Sequence, residues 1–437
     1  MSNVAIVGLG YVGLPLAVQA AEKGYQVLGV DLNTKLIETI SAGKSPFAND
    51  ERFAKALARM TPENFAVSTS FDGLREVKTV VICVPTPTED NVPDLRFVLD
   101  AARAIAGELQ KGQLIVLEST VNPGVTRDDV LPILEEVSGL KCGKDFFLAH
   151  CPERIDPGNP KFYVGNLNRV VGGITPECTK RAQDFYTSVV DAQVIPLGST
   201  EEAEFVKSWE NSHRNVMIAL ANEAAVICDA LDMNIDNVLL GLQSKIDQLG
   251  LRLARPGIGP GGHCIPEDIH YVIRKARQSG VDTHFLESAA ELNDKMPRYA
   301  VQQLQQLLAK QGLKLRQSRI ALLGLAYKEN IEDARRSPAI DVAQLLVQRA
   351  DSIIVQDPYV DTNRVSIRGA QYADEIDEAL EGADAIFLAT AHTIYIEQLT
   401  PTLLKKHNIA AVYDGRNCLD GEAIKAAGIA YHGMGRS

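Results

Sequence analysis

The N-terminus constrains this chain more than any other segment. Val4–Val7 is a short apolar run, and Gly8-Leu-Gly10-Tyr-Val-Gly13 follows it at once. An amphipathic stretch, Leu14–Lys23, comes next. A second apolar run, Val27–Val30, then ends at Asp31, 18 residues after Gly13. A strand, three glycines at this spacing, a helix and an acid closing the next strand suit very few folds. Gly8 permits a sharp turn, Gly10 lets the backbone approach a ligand, and Gly13 lets helix and strand pack closely. The helix N-terminus then offers N–H groups and the positive end of its dipole to an anion. This is the pattern of a dinucleotide site on a doubly wound sheet. Asp31 is expected to accept hydrogen bonds from the adenosine ribose, and its charge would repel a 2′-phosphate, which favours NAD over NADP.

The same alternation continues. Thr79–Val84, Leu114–Leu117 and Phe146–Ala149 read as buried strands, and Leu95–Leu109 and Val125–Val137 as helices, with further strands at Arg169–Val171 and Ala192–Ile195. Such alternation predicts a mainly parallel sheet with helices on both faces. Residues 200–231 contain no Gly or Pro, and Phe205, Trp209, Val216, Leu220, Ala224 and Ile227 recur at helical spacing. That predicts one helix roughly 45 Å long, of the kind that bridges domains or packs on a second subunit. A Gly/Pro-rich loop follows, from Arg255 to Cys264, and then more helix to about Gly312. Arg319-Ile-Ala-Leu-Leu-Gly-Leu-Ala-Tyr327 next echoes Asn3-Val-Ala-Ile-Val-Gly-Leu-Gly-Tyr11. A helix (Ala339–Arg349) and a strand (Ile353–Val355) ending at Asp357 follow it, with later strands at Ala385–Leu388 and Ala410–Tyr413. The expected fold class is α/β: two Rossmann-like doubly wound parallel-sheet domains, 1–198 and 313–437, joined by a central helical domain, 199–312. Gly324-Leu-Ala-Tyr lacks the second and third glycines, so the last domain should hold something other than NAD.

Composition narrows the partners. The net charge of −12 argues against nucleic acid or an anionic membrane surface, which both reward a basic face. The N-terminus enters its first strand without a basic, apolar leader, and no apolar stretch is long enough to span a bilayer. A cytoplasmic protein is expected. The seven cysteines are odd in number and scattered, with no C-x-x-C, which suits neither a disulfide framework nor a zinc site. His213 and His263 show no metal-ligand spacing, and no metal is expected.

Gly261-Gly-His-Cys264-Ile-Pro266-Glu267-Asp268 is the other informative segment. Pro266 suits a first helical turn, which would put Cys264 at a helix N-terminus, where the dipole favours thiolate. Glu267 and Asp268 oppose that, so the direction stays open. Asp268 falls one turn after Cys264, on the same face. On the long helix, Lys207, Asn211 and Arg214 form a polar stripe at i, i+4 and i+7. Such a stripe is either a solvated face or, aimed into a cleft, a set of donors for a developing oxyanion.

Taken in order, these segments resemble the UDP-glucose/GDP-mannose dehydrogenase family over nearly the whole chain. The resemblance rests on the glycine turn, Cys83-Val-Pro-Thr-Pro87, Glu118-Ser-Thr-Val121, Cys151-Pro-Glu153-Arg154, Lys207 with Asn211, the cysteine loop with Asp268, Gly324-Leu-Ala-Tyr-Lys328, Asp333-Ala-Arg335-x-Ser-Pro338 and Asp414-Gly-Arg416. It implies an NAD-binding domain, a central dimerisation domain giving a homodimer, and a UDP-binding domain. It also implies four-electron oxidation of a nucleotide-sugar C6 alcohol to the uronic acid through a thioester on Cys264, serving surface-glycan synthesis. By matching motif, Lys207 and Asn211 would hold the C6 oxygen, Asp268 and Thr120 would organise water and protons, and Glu153 would act as base for hydrolysis. Tyr11, Val12, Pro85, Thr86, Thr120 and Arg335 would join the glycines and Asp31 around NAD. Arg154, Arg214, Arg255, Gly261, Tyr327, Lys328 and Arg416 would line the UDP-sugar, together with Lys207 and Asn211. The His-Cys-Ile-Pro form and Glu210-Asn-x-x-Arg214 are similar to the UDP-N-acetylhexosamine branch (N-acetylmannosamine or N-acetylglucosamine). Met217 and Gly250 depart from it, standing where that branch carries Asn and Arg, with Arg252 nearby. The alternatives are UDP-glucose oxidation, a single-step 3-hydroxyacid-type dehydrogenase, and a nucleotide-binding protein without turnover.

Overall fold

The structure is a computed structural model that describes residues 3–47, 51–89, 92–155, 161–246, 248, 253–262, 264–362 and 365–436. Gly250, Arg252 and His263 lie outside these. The chain divides into two compact units, Met1–Glu210 and Asn211–Ser437. Among the described residues no helix is long and apolar enough to cross a membrane.

In the first unit the apolar runs become β1 (Asn3–Val7), β2 (Gln26–Val30), β3 (Phe65–Ser68) and β4 (Thr79–Ile82), then a small hairpin of β5 (Thr88–Glu89) and β6 (Val92–Pro93). Four further strands complete it: β7 (Leu114–Leu117), β8 (Phe147–His150), β9 (Arg169–Gly173) and β10 (Val194–Pro196). Apart from the hairpin they form one sheet in the order β10-β9-β8-β7-β4-β1-β2-β3. Every pair is parallel except β8 with β9. β4 and β7 are buried at all positions, as strands covered on both faces must be. Along β1, Val4 and Ile6 join one core with the helix Gly13–Glu22, while Ala5 and Val7 join another with the helix Arg96–Glu108. The two-residue period of a strand thus feeds both cores.

The second unit holds β11 (Arg319–Leu323), β12 (Ser352–Gln356), β13 (Gln371–Tyr372), β14 (Ala385–Leu388), β15 (Ala411–Asp414) and β16 (Ala430–Gly433). They form an all-parallel sheet in the order β13-β12-β11-β14-β15-β16. This repeats the order β3-β2-β1-β4-β7-β8 of the first unit, the doubly wound arrangement that leaves a crevice at the carboxyl ends of the central strands. The likeness of residues 319–327 to 3–11 is therefore a repeat of architecture. Helices Ile235–Ile246, Cys264–Gln278 and His284–Lys310 precede the sheet.

Three features depart from the sequence reading. The helix expected over Val125–Val137 begins as a π-helical turn, Thr126–Val130, and becomes α-helical only from Leu131. Strands β3, β13 and β16 carry no marked pattern, because short strands at sheet edges need no continuous apolar run. The third departure concerns the long helix, Thr200–Ala230. Its apolar residues Phe205, Trp209, Leu220 and Ile227 are exposed, while Glu204, Lys207, Ser208, Asn211, Asn215 and Asn222 are buried. Arg214 does not share the burial of Lys207 and Asn211 and stays at the surface.

Glu204 shows what the buried polar face does in the first unit. Its carboxylate accepts from the backbone N–H of Gly124 (2.6 Å) and Thr126 (2.8 Å) and from Thr126 Oγ1 (2.6 Å). It thereby ties the helix to the segment that follows β7. Burial pushes the carboxyl up to about 7, against those three bonds. A carboxyl raised in the fold contributes stability that is complete below its unfolded value and is lost as pH rises through the folded one. The stability gap between wild type and Glu204→Gln, measured by urea unfolding, should therefore narrow by about 2 kcal/mol between pH 5 and pH 8. A gap that is constant or widens would show that the buried carboxyl does not titrate in this window.

Candidate active site

The glycine turn lies between β1 and the helix Gly13–Glu22. Gly8 has φ +94°, and a Cβ there would sit 2.6 Å from the Cys83 carbonyl oxygen. A Cβ on Gly13 would lie 1.9 Å from the Gly8 oxygen, whereas one on Gly10 would meet nothing within 4 Å. Two glycines are thus required by the turn, and the third leaves open space beside the backbone, which is the room a pyrophosphate needs. Asp31 closes the turn: its Oδ2 accepts from Leu9 N–H at 2.8 Å and its Oδ1 from Asn33 N–H at 2.8 Å. Each oxygen keeps a lone pair for a ribose hydroxyl. Tyr11 is exposed and stacks on Phe47 at 4.6 Å, and Val12 is half-buried beside it. The residues present fit a dinucleotide.

Pro85 and Thr86 follow β4, Thr120 follows β7, and Glu153 and Arg154 follow β8, all at the carboxyl edge of this sheet. Beneath these loops lies a buried ion pair absent from the sequence reading: Arg169 Nη1 donates to Glu118 Oε1 at 2.7 Å, with side chains 1% and 0% exposed. Cys83 Sγ reaches Glu118 Oε2 at 3.3 Å. Burial pushes the Glu118 carboxyl up, and Arg169 and Cys83 pull it back. Glu153 N–H donates to the Glu118 carbonyl at 3.2 Å, and Lys207 Nζ lies 3.5 Å from Glu153 Oε2. Two predicted residues, Glu153 and Lys207, are thus brought together within the first unit. Arg154 pairs with Glu210 and donates to the Asn168 carbonyl at 3.2 Å.

In the second unit Cys264 opens the helix Cys264–Gln278 and is half-buried. Asp268, one turn on, is buried, and Asn211 Nδ2 donates to its Oδ2 at 2.6 Å. Glu267, also buried, receives Arg336 Nε at 2.9 Å. The glycine-rich loop runs against Tyr327: a Cβ on Gly261 would sit 2.5 Å from the tyrosine Cβ. Gly262 N–H donates to the Arg335 carbonyl at 3.2 Å. The Arg335 guanidinium forks onto Asp333, which holds it above its ordinary value, with smaller contributions from Tyr327 and Cys264. Lys328 is half-buried next to Tyr327, and Arg255 is exposed. Arg416 sits on a turn gathered by Asp414, whose carboxylate accepts from the N–H groups of Arg416, Cys418 and Leu419. Its Nη1 lies 3.2 Å from where a Gly257 Cβ would be.

The second unit repeats the acid of the first turn. Asp357 Oδ2 accepts from Leu325 N–H (2.6 Å) and Ala326 N–H (2.9 Å), and its Oδ1 from Tyr359 N–H (2.8 Å). Burial pushes this carboxyl up, but His392 Nε2 at 3.2 Å and the backbone donors outweigh it and hold it low. Here the acid is saturated by the protein, whereas Asp31 keeps capacity for a ligand.

Two doubly wound sheets, one with a complete dinucleotide turn, define a nucleotide-binding α/β protein. Comparison with known proteins narrows this class. The NAD binding domain of the UDP-glucose/GDP-mannose dehydrogenase family matches residues 2–190, its central domain residues 201–295 and its UDP binding domain residues 321–421. The UDP-N-acetyl-D-mannosamine dehydrogenase of Pyrococcus horikoshii is 32% identical over 434 residues, 99% of each chain. The UDP-N-acetyl-D-glucosamine 6-dehydrogenase of Pseudomonas aeruginosa is 33% identical over 395 residues, 90% of each chain. Among solved structures, the NDP-N-acetyl-D-galactosaminuronic acid dehydrogenase of Methanosarcina mazei Go1 superposes with a TM-score of 0.88 at 32% identity, covering 100% of this chain and 96% of that one. The chain belongs to the UDP-glucose/GDP-mannose dehydrogenase family, and its first unit carries that family's NAD binding domain.

Asp31→Ala removes the brace of Leu9 N–H and the carboxylate expected to accept the ribose hydroxyls. NAD affinity measured by titration calorimetry should fall about ten- to a hundredfold, the loss expected for hydrogen bonds to a charged group. The margin over NADP should shrink with it. Unchanged affinity would remove Asp31 from the site.

Proposed function

We propose that this protein oxidises the C6 alcohol of a UDP-N-acetylhexosamine, UDP-N-acetylmannosamine or UDP-N-acetylglucosamine, to the uronic acid in two steps through a thioester on Cys264. The observation that carries the reading is the 2.6 Å bond from Asn211 to Asp268. It joins the long helix to the first turn of the cysteine helix, where Cys264 and Asp268 share a face. The names of the Pyrococcus and Pseudomonas relatives support the substrate class.

NAD, when bound, accepts hydride from C6 in each of the two oxidations. Between them the Cys264 thiolate adds to the aldehyde carbon: a C–S bond forms and the carbonyl pair moves onto oxygen. Lys207 and Asn211 hold that oxygen as hydrogen-bond donors, which lowers the cost of the developing charge. Asp268 and Thr120 order water and protons. After the second oxidation, water attacks the thioester carbon, Glu153 takes the water's proton, and the thiolate leaves. Arg335 would meet the cofactor pyrophosphate. Arg154, Arg214, Arg255, Gly261, Tyr327, Lys328 and Arg416 line the nucleotide sugar, where paired Arg and Lys charge suits a diphosphate.

The division into domains 1–198, 199–312 and 313–437 is kept on the same grounds, with the three matched family spans as support. A homodimer through the central helices belongs to this reading. Leu220 is 60% exposed, and Ile227, Leu231, Leu240 and Leu242 are exposed too, large apolar side chains of the kind a subunit interface covers.

Three predictions test the proposal. Incubation with a panel of UDP-glucose, UDP-N-acetylglucosamine, UDP-N-acetylmannosamine, UDP-N-acetylgalactosamine and GDP-mannose should release two NADH per sugar consumed, with an N-acetylhexosamine preferred. A count of one would favour single-step chemistry, and no turnover with any sugar would favour a binding protein. Cys264→Ala should lose acid formation while keeping NAD affinity. For the assembly, Leu220→Glu with Ile227→Glu should shift sedimentation from dimer to monomer, and a wild type already monomeric at micromolar concentration would overturn the dimer.

A further inference from the structure

The buried face of the long helix carries two asparagines that the proposed chemistry does not use directly, and a third faces them from the helix His284–Lys310. Asn215, Asn222 and Asn293 are 2%, 0% and 2% exposed. Asn215 and Asn222 fall on the same helix face as Asn211, at i+4 and i+11, and Asn293 projects from the helix His284–Lys310. Their amides bond head to tail. Gly257 N–H donates to Asn222 Oδ1 at 2.8 Å, and Asn222 Nδ2 donates to Asn293 Oδ1 at 2.9 Å. Asn293 Nδ2 donates to Asn215 Oδ1 at 2.9 Å and also to the Asn215 carbonyl at 3.0 Å. Asn215 Nδ2 donates to the Ile265 carbonyl at 3.1 Å. The chain starts on the backbone at one end of the glycine-rich loop and ends on the residue after Cys264.

We propose that Asn222, Asn293 and Asn215 form a one-way amide relay that ties Gly257, in the glycine-rich loop, to Ile265, in the first turn of the cysteine helix, and so sets where the Cys264 thiol stands. These are positioning residues, and the inference rests on the proposed thioester reading. The loop needs such a device because it is rich in glycine and has few side chains of its own to pack. A carboxamide supplies both an acceptor and a donor in this shape at every pH, whereas a carboxyl does so only while protonated. A carboxylate at any of the three places sets oxygen against oxygen, and no flip of a neighbouring amide relieves it without creating the same conflict one link along. In a buried network, breaking one link therefore disturbs the rest.

The test uses the isosteric variants Asn215→Asp, Asn222→Asp and Asn293→Asp in the full-length protein, with Asn215→Ser as a second choice should a buried carboxylate prevent folding. Each should lower kcat about ten- to a hundredfold, the size expected when a reacting group is displaced by about an ångström. KM for NAD and for the nucleotide sugar should stay within about twofold, because neither is bound by these side chains. NADH per sugar consumed should fall from two toward one, with aldehyde trapped by semicarbazide, since the first oxidation does not need the thiol. In the protein without cofactor, hydrogen exchange at the Gly257 amide should quicken at least tenfold in Asn215→Asp, the variant at the far end of the relay. The double variant Asn215→Asp/Asn222→Asp should be no slower than the slower single one, because independent sites would add and links of one chain do not. Additive effects, or variants that melt earlier while keeping wild-type stoichiometry and Gly257 exchange, overturn the relay. A wild type releasing one NADH per sugar would sink the thioester reading alone, and the exchange measurement would still decide whether the relay holds the loop.

Discussion

The long helix Thr200–Ala230 turns Glu204, Lys207, Asn211, Asn215 and Asn222 inward and Phe205, Trp209, Leu220 and Ile227 outward, and much else follows from that arrangement. Buried polar groups are costly unless satisfied, and most of these find a partner on another element. Glu204 takes the segment after β7, Lys207 approaches Glu153, Asn211 takes Asp268, and Asn215 and Asn222 hold the glycine-rich loop. A helix packed by leucines would be as stable, but its contacts are not directional and would leave these loops without a fixed register. The outward apolar residues are the complementary half of the arrangement.

The two sheets show how one turn geometry serves different ends. In both, a glycine N–H bonds to the carbonyl that ends the neighbouring strand, Gly8 to Val30 and Gly324 to Gln356. In both, an aspartate then gathers the backbone N–H groups of the turn. The first turn adds Gly10 and Gly13, leaving space and donors for a dinucleotide. In the second, His392 Nε2 lies 3.2 Å from Asp357, and its ring meets that of Tyr359 in a tilted contact with centroids 4.9 Å apart. The second turn thus has its acid taken up by the protein's own groups, where the first leaves Asp31 with free lone pairs.

Much of this was legible in the residues. The central strands are four- or five-residue apolar runs because both faces of a parallel sheet are covered, and such runs stand out. The glycine turn announced itself because only glycine tolerates the approach of the Cys83 and Gly8 carbonyls. The long helix was visible from the absence of breakers, and the start of the cysteine helix from Pro266. The edge strands β3, β13 and β16 were not, since they bury too little to carry a pattern. The antiparallel pairing of β8 with β9 was hidden as well, because strand direction depends on the path of the connection. Nor did Phe205, Trp209 and Leu220 reveal which way they face, since helical periodicity gives the stripe but not its side.

What the sequence by itself determined was local chemistry: which segments are strand or helix, where a backbone must turn, and which family's motifs stand in which order. Those properties depend on neighbours within a few residues, and a string of residues records them directly. Only the tertiary structure decided the pairings between distant side chains, such as Arg169 with Glu118, 51 positions apart, and Asn293 with Asn215, 78 apart. Even Glu118, which stands in a recognisable motif, gives no sign in the sequence of which residue it pairs with. Such a side chain gains a role only when the fold removes water from around it and leaves one partner within reach.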